Sequence, residues 1–326
     1  MTAASVRSWR STLWGYAPEL AIGLAAILYG STFRVTQVSI ERTTPAALNT
    51  IRYAVGAAAI LPFALRGGWR GPRVRHTDTL RIFIVISVVV GLITAAGTMA
   101  QTIGLRHTTV SNSAFITGLF AVFTPIIEAV IYRRWPRRGI VEAVAVSMVG
   151  LYLLTGASFS LHFGDVITLA AALFYAGWYV IVGAYANRFN TVAFVATQLA
   201  VISIVCLPFA IIDGFGKIDS YVVWTILYTG IGCSAIAFSL SAWAQRRVDP
   251  SRTTIISLME PVVAGVIGYF VGERLGIPGY LGAVLILGAI VIAERGTHGK
   301  RAAVETSRET SRETSRETSR ETSSGV

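Results

Sequence analysis

The sequence predicts an all-helical integral membrane protein with ten transmembrane helices arranged as two inverted five-helix repeats. Three observations carry that prediction. The chain of 326 residues is 53% hydrophobic and 14% charged, too few polar side chains to clothe a soluble globule of this size. It offers ten apolar windows, each near the ~20 residues that a helix needs to cross a ~30 Å hydrocarbon layer at ~1.5 Å per residue. Its 28 Lys and Arg are partitioned between alternate connections: 22 on one side, four (Arg42, Arg106, Lys217 and Arg274) on the other, and Arg34 and Arg52 inside spans. Basic residues resist translocation, so the crowded side, which holds both termini, is expected to be cytoplasmic.

Residues 1–17 form a cytoplasmic segment with Arg7 and Arg10. The first span, 18–39, is too long for a signal-peptide core and no small-residue cleavage site follows it, so it is read as helix one. It carries Tyr29 and Arg34, the latter near its outer end. The second, 46–65, places Arg52 about six residues from the outside. The third, 82–103, and fourth, 110–132, meet at an outer turn flanked by Gln101 and Asn112. Glu128 near the inner end of the fourth, and Glu142 at i+4 from Arg138 in the fifth (140–157), are explained by snorkelling and pairing with loop arginines.

After a junction near Ala157 to Gly164, the sixth span (164–185) begins beside Asp165 and carries Tyr175, Trp178 and Tyr179. The seventh, 192–212, contains Gln198 and Cys206; the eighth, 221–243, contains Cys233 and Trp243. Cysteines inside apolar spans read as buried inert thiols. The ninth, 253–271, holds the deepest acid, Glu260, followed at once by Pro261; the tenth is 277–294. Beyond it, 295–326 repeats Glu-Thr-Ser-Arg with period four, which predicts a disordered cytoplasmic tail.

Sliding the sequence by 146 residues superposes LPFA at Leu61–Ala64 on LPFA at Leu207–Ala210, pairs Tyr29 with Tyr175, and pairs Arg52 with Gln198. Downstream a shift of 140 aligns Arg106 with Arg246 and lays the start of the fourth span on the start of the ninth. The duplicated units are 18–157 and 164–294, five spans each. Five is odd, so the second copy enters the membrane from the opposite face, which is the structural basis of alternating access.

These residues resemble the EamA-type branch of the drug/metabolite transporter superfamily. LYGSTF at Leu28–Phe33, Arg52-Tyr53, and LRHTTVSNSAF at Leu105–Phe115 are similar to its first-half motifs, with Tyr29 and Thr32 as substitutions. EPVVAGVIGYFVGERL at Glu260–Leu275 is similar to its ninth helix; in the first half Ala121 stands where the family often has proline, and YRRW replaces the helix end. The resemblance implies a secondary carrier, often an exporter, of small organic metabolites. Amino acids or related compounds are the expected cargo, in a bacterial inner membrane with both termini cytoplasmic.

The candidate substrate or coupling residues are Tyr29, Arg34, Arg52, Gln101, Asn112, Tyr175, Trp178, Gln198 and Glu260, with Pro261 as a hinge. Each has a plainer reading. An ionised group in a span needs a partner, a wet cavity or the surface, so Arg52 serves packing or a gate as well as it serves a substrate. Glu260 either pairs with a cytoplasmic arginine such as Arg246 or, with the Ser257 carbonyl that Pro261 leaves unbonded, forms a proton or substrate site. Asn112, Gln101 and Gln198 suit interhelical hydrogen bonds, and the aromatics, Trp243 included, suit core packing.

Gly268 and Gly272 permit close helix approach, within the bundle or between protomers of a homo-oligomer. The expected partners are a small-molecule substrate, the lipid bilayer and protons. No cofactor or metal is implied, for the chain lacks GxxxxGK[ST], HExxH and any span-core aspartate apart from Asp165 at an outer edge. The same absences weigh against an enzyme, and no basic face interleaved with aromatics supports nucleic-acid binding. A phosphorylated-metabolite or nucleotide-sugar exchanger is the alternative carrier, needing a second cavity cation such as Arg34. A membrane scaffold or receptor is the alternative outside transport.

Overall fold

The computed structural model describes residues 16–75, 77–108, 110–156, 162–270 and 276–294. The expected tail, the Gly272–Leu275 motif end and most of the N-terminal segment lie outside these residues. The described chain is helical, and its single extended feature is an isolated bridge between Arg70 and Phe189. Eight helices are long and apolar enough to cross a membrane: Pro45–Gly67, Leu80–His107, Asn112–Tyr132, Arg138–Thr155, Phe163–Tyr185, Thr191–Asp213, Ser220–Ala244 and Ile277–Glu294. They are the second to eighth and tenth spans.

The first and ninth depart from the continuous helices expected. The first runs Ala17–Gly30, breaks at Ser31 and resumes as Thr32–Ile40; the ninth runs Pro250–Ser257, breaks at Leu258 and resumes as Met259–Phe270. At Ser31 the hydroxyl donates to Leu28 O at 2.6 Å, a back-bond that competes with the helical ladder. At Leu258 the amide closes a tighter turn onto Ile255 O, three residues ahead of the proline that cannot supply the Ser257 carbonyl. The fourth span breaks at Leu119 in the same way, its amide bonding Ile116 O, although Ala121 occupies the place of Pro261.

Neighbours in the bundle exchange when the halves are swapped. The third span packs on the sixth as the eighth does on the first; the fourth packs on the sixth as the ninth does on the first. The second and seventh spans pack on each other and run antiparallel. Thr44 Oγ1 donates to Gly214 O at one end, Ser203 Oγ to Thr50 O midway, and Asn190 Nδ2 to Gly67 O at the other. The fifth and tenth are also antiparallel, with Gly139 facing Ile292 and Gly150 facing Gly282.

Straps tie the loops at both ends of the second–seventh pair. Gly71 N donates to Arg188 O at 3.0 Å, and Lys217 N to Arg42 O at 2.8 Å, bonds related by the same 146-residue displacement. Each strap is pinned by an ion pair: Arg188 with Asp78, and Arg42 with Asp219 at 2.8 Å. The Asp219 carboxyl is held below its usual range, first by the Val222 amide and then by Arg42. Its stabilising contribution is therefore present at neutral pH and is lost as pH falls through that lowered value.

The face bearing Glu19 and Glu294 is here termed the terminal face, and the face bearing Arg42 and Asp219 the distal face. Glu128 departs from the expected pairing with loop arginines: it accepts from the Ser251 amide at 3.2 Å and from the Ser251 hydroxyl. Glu142 is exposed and forms no ion pair among the described residues.

A β-carbon on Gly282 would lie 2.4 Å from both Gly150 O and Leu154 N, backbone atoms that cannot step aside, whereas one on Gly288 meets open space. Gly282→Val is therefore expected to cost about 1–3 kcal/mol and to lower the thermal midpoint in detergent micelles, while Gly288→Val leaves it unchanged.

Candidate substrate cavity

A cavity offering about 110 Å³ to water lies between the halves. Its lining runs from Glu260 and Tyr179, near mid-depth, to Thr36 and Leu105 toward the distal face. The first span supplies Tyr29, Thr32 and Phe33; the second Arg52 and Tyr53; the third Thr98 and Gln101; the sixth Tyr175, Trp178 and Tyr179. Phe120, Cys233, Ser234 and Phe238 complete the wall with Glu260.

The repeat determines who lines it. Tyr29 and Tyr175, Thr32 and Trp178, and Phe33 and Tyr179 are each 146 residues apart; Thr98 and Phe238, and Phe120 and Glu260, are each 140 apart. All ten face the cavity, which therefore straddles the relation between the halves. Equivalent positions differ in chemistry, so the wall is pseudo-symmetric in place and asymmetric in function.

Phe238 is the centre of the aromatic wall, with ring centroids of Trp178, Tyr29 and Tyr53 at 5.3, 5.8 and 6.3 Å, all edge-on. It directly follows a π-helical stretch, Tyr228–Ala237, whose wider turn rotates the end of the eighth span. Such irregularities often mark functional sites. Hydrogen bonds hold the rings in place. Tyr175 OH donates to Gln101 Oε1 at 2.8 Å, Trp178 Nε1 to Gln198 Oε1 at 2.9 Å, and Tyr179 OH reaches Ser257 Oγ at 3.0 Å.

Two charges face this wall. Glu260 is 9% exposed, and its position is fixed by Gly30, where a β-carbon would lie 2.4 Å from Glu260 O. Only glycine lets the two broken helices approach this closely. The carboxylate forms no ion pair among the described residues; Arg246, the partner expected from sequence, donates instead to Ala186 O at 3.1 Å. Arg52 lies over the Tyr53 ring at 4.7 Å and donates to its hydroxyl at 3.1 Å, while its buried Nε finds no protein acceptor.

Of the sequence candidates, Tyr29, Arg52, Gln101, Tyr175, Trp178 and Glu260 line the cavity. Arg34 does not: it is exposed and donates to Gln37 Oε1 at 2.9 Å. Asn112 is buried outside the lining, and Gln198 stands behind Trp178. Pro261 is buried three residues beyond the break at Leu258. Phe33, Tyr53, Phe120 and Phe238 were not singled out from sequence; carrying the two displacements over from Trp178, Tyr29 and Glu260 identifies Thr32, Tyr175 and Phe120 as their counterparts. Cys206 and Cys233 are free buried thiols, and Cys233 faces the cavity.

A multi-pass helical bundle enclosing a polar and aromatic chamber is the architecture of a membrane transport protein. The model of the EamA-like transporter family matches residues 17–156 and 162–294. The chain belongs to that family, within the drug/metabolite transporter superfamily. It is 30% identical over 276 residues to an uncharacterized transporter of Archaeoglobus fulgidus, covering 84% of each chain. It is 26% identical over 289 residues to the uncharacterized transporter YwfM of Bacillus subtilis, covering 84% of this chain and 93% of that one. A crystal structure covering 83% of this chain and 94% of its own superposes with a TM-score of 0.68 at 18% identity, a likeness of fold.

Gln198→Leu leaves the buried Trp178 N–H without an acceptor, an expected loss of about 1–3 kcal/mol that lowers the thermal midpoint in detergent micelles.

Proposed function

We propose that this transporter is a secondary carrier working by alternating access, and that it exports amino acids or related zwitterions. The observation that carries the reading is the pair of opposite charges, Arg52 and Glu260, in one aromatic-walled cavity, each without an ion-pair partner among the described residues. A zwitterion supplies both missing partners. The guanidinium takes its carboxylate, the Glu260 carboxylate takes its ammonium, and the rings pack against its side chain. Desolvated charges of this kind are stable only when paired or wetted, so the cavity favours a ligand that neutralises both.

The same chemistry supplies the coupling. Glu260 can hold the substrate ammonium or a proton, and one excludes the other, so proton entry can drive substrate exit. Antiparallel second and seventh spans, antiparallel fifth and tenth spans, and exchanged neighbours support two inverted repeats rocking about the shared cavity. The distribution of basic residues supports cytoplasmic termini in a bacterial inner membrane. A phosphorylated-metabolite exchanger is less well supported, because Arg34 lies outside the cavity lining and leaves Arg52 as its cation.

Vesicles containing the purified protein, loaded with a labelled panel of amino acids, phosphorylated sugars and nucleotide sugars, test the reading. Amino-acid efflux accelerated by an opposing proton gradient is expected. Arg52→Ala should reduce it at least about tenfold, since a hydrogen bond to a charged group contributes about 1.5–3 kcal/mol. Glu260→Gln should abolish the response to the gradient. Efflux confined to phosphorylated compounds, or to none, would reject the assignment.

A further inference from the structure

The terminal face is closed by a cluster of charges that the cavity does not use. Arg252, in the first turn of the ninth span, is 2% exposed. It donates through Nε to Glu294 Oε1 at 3.2 Å, through NH2 to Glu294 Oε2, and through NH2 to Glu19 Oε1 at 3.3 Å. At the adjacent residue, Glu128 accepts from the Ser251 amide and hydroxyl. The first, fourth, ninth and tenth spans are thus joined at one level. A groove of about 720 Å³ on the terminal face, lined by Glu128, Ser251 and Arg252 among others, reaches inward to this level. Eight residues separate Arg252 from Glu260, about 12 Å along a helix, with the break at Leu258 between them.

The repeat makes the cluster informative, because the distal face has no equivalent among the described residues. The residue 140 positions before Arg252 is Asn112; the counterpart of Glu128 is Gly268; and the fifth span ends in the uncharged Leu154, Thr155 and Gly156 where the tenth ends in Glu294. Glu19 corresponds to Asp165, but there the carboxylate is taken up locally by Thr108 Oγ1 at 2.5 Å and His162 N at 3.1 Å. No arginine reaches it among the described residues. Among the described residues the ionic closure therefore lies on the terminal face, and the cavity lining extends toward the distal face.

We infer that Arg252, with Glu19, Glu294 and Glu128, forms the terminal-face gate of the transport cycle, and that its one-sided presence makes the distal-open form the resting state. The inference rests on the alternating-access reading. A buried ion cluster suits a gate for a physical reason. Its charges are specific in geometry: intact, the cluster holds the face shut, because a buried carboxylate that loses its guanidinium is strongly destabilised, and once open each group can be hydrated in place of its partner. An apolar seal would instead expose hydrocarbon surface at every opening. The guanidinium fork can bind two carboxylates at once, which lysine does not reproduce.

Cys233 provides a native reporter, since it faces the cavity, and Cys206→Ala removes the other thiol. A charged, membrane-impermeant methanethiosulfonate is added to either side of sealed vesicles. In the Cys206→Ala parent, Cys233 should react from the distal side and resist reagent from the terminal side. Arg252→Asn, which installs the distal counterpart's residue, should raise terminal-side labelling at least about tenfold. Glu19→Gln with Glu294→Gln should do the same, and Arg252→Lys should fall between.

Distal-side labelling retained in a variant reports an intact fold; if Arg252→Asn loses it, the double glutamine variant and Arg252→Lys decide. Terminal-side labelling that stays at the parental level in folded variants overturns the gate. A shift in labelling without flux of any compound in the panel would reject the carrier reading and leave the cluster as a closure of the terminal face, and flux without a shift would reject the gate alone.

Discussion

The second and seventh helices, antiparallel and fastened at both ends, are the constraint on which the remaining architecture depends. Lipid offers no hydrogen bonds, so polar groups near the membrane must be satisfied within the protein. Here the strap residues satisfy one another: Thr44 with Gly214, Asn190 with Gly67, and Arg42 and Arg188 with the facing amides and carboxylates. With this pair fixed, the third and eighth spans take equivalent places beside it, and the cavity forms where the first, sixth and ninth converge. Arg52 projects from one member of the pair, and Gln198 of the other secures Trp178.

Much of this was legible in the sequence because duplication leaves a displacement that survives divergence. The 146-residue offset seen in LPFA also relates the two strap bonds, so one number located structure outside the motif that revealed it. The interrupted spans were only half legible. Pro261 announced a free carbonyl at Ser257, and the ninth helix does break beside it. Ser31 carried no such mark, since its break depends on a hydroxyl turning back to Leu28 and on Gly30 meeting the ninth span, which are tertiary facts.

The site divided along the same line. Charged and amide side chains inside an apolar span stand out, and Arg52, Gln101 and Glu260 do face the cavity. Aromatic residues do not, because Phe238 facing a chamber and Phe63 facing lipid are equally compatible with an apolar window. Distance from a span end was also a poor guide to burial. Arg34 lies inside its predicted span and Arg252 just before the start of its own, yet Arg34 is exposed and Arg252 is enclosed by two carboxylates.

Symmetry of the backbone and asymmetry of the side chains have separate consequences in a carrier built this way. In the proposed alternating-access cycle, two halves with exchangeable packing would have two conformations of similar intrinsic free energy, which is the condition for moving between them on binding alone. An imbalance of a few kcal/mol then fixes which one predominates. The charged departures from symmetry include Arg52 against Gln198 and Glu260 against Phe120 in the chamber, and Arg252 against Asn112 and Glu128 against Gly268 at the terminal face. In the chamber, charges that meet uncharged counterparts give the proposed ligand a direction. At the terminal face they supply the proposed gate. Because the proposed gate is ionic, water or a competing charge can undo it, and on this reading the energy that opens the terminal face comes from whatever neutralises these groups rather than from disruption of the hydrophobic core.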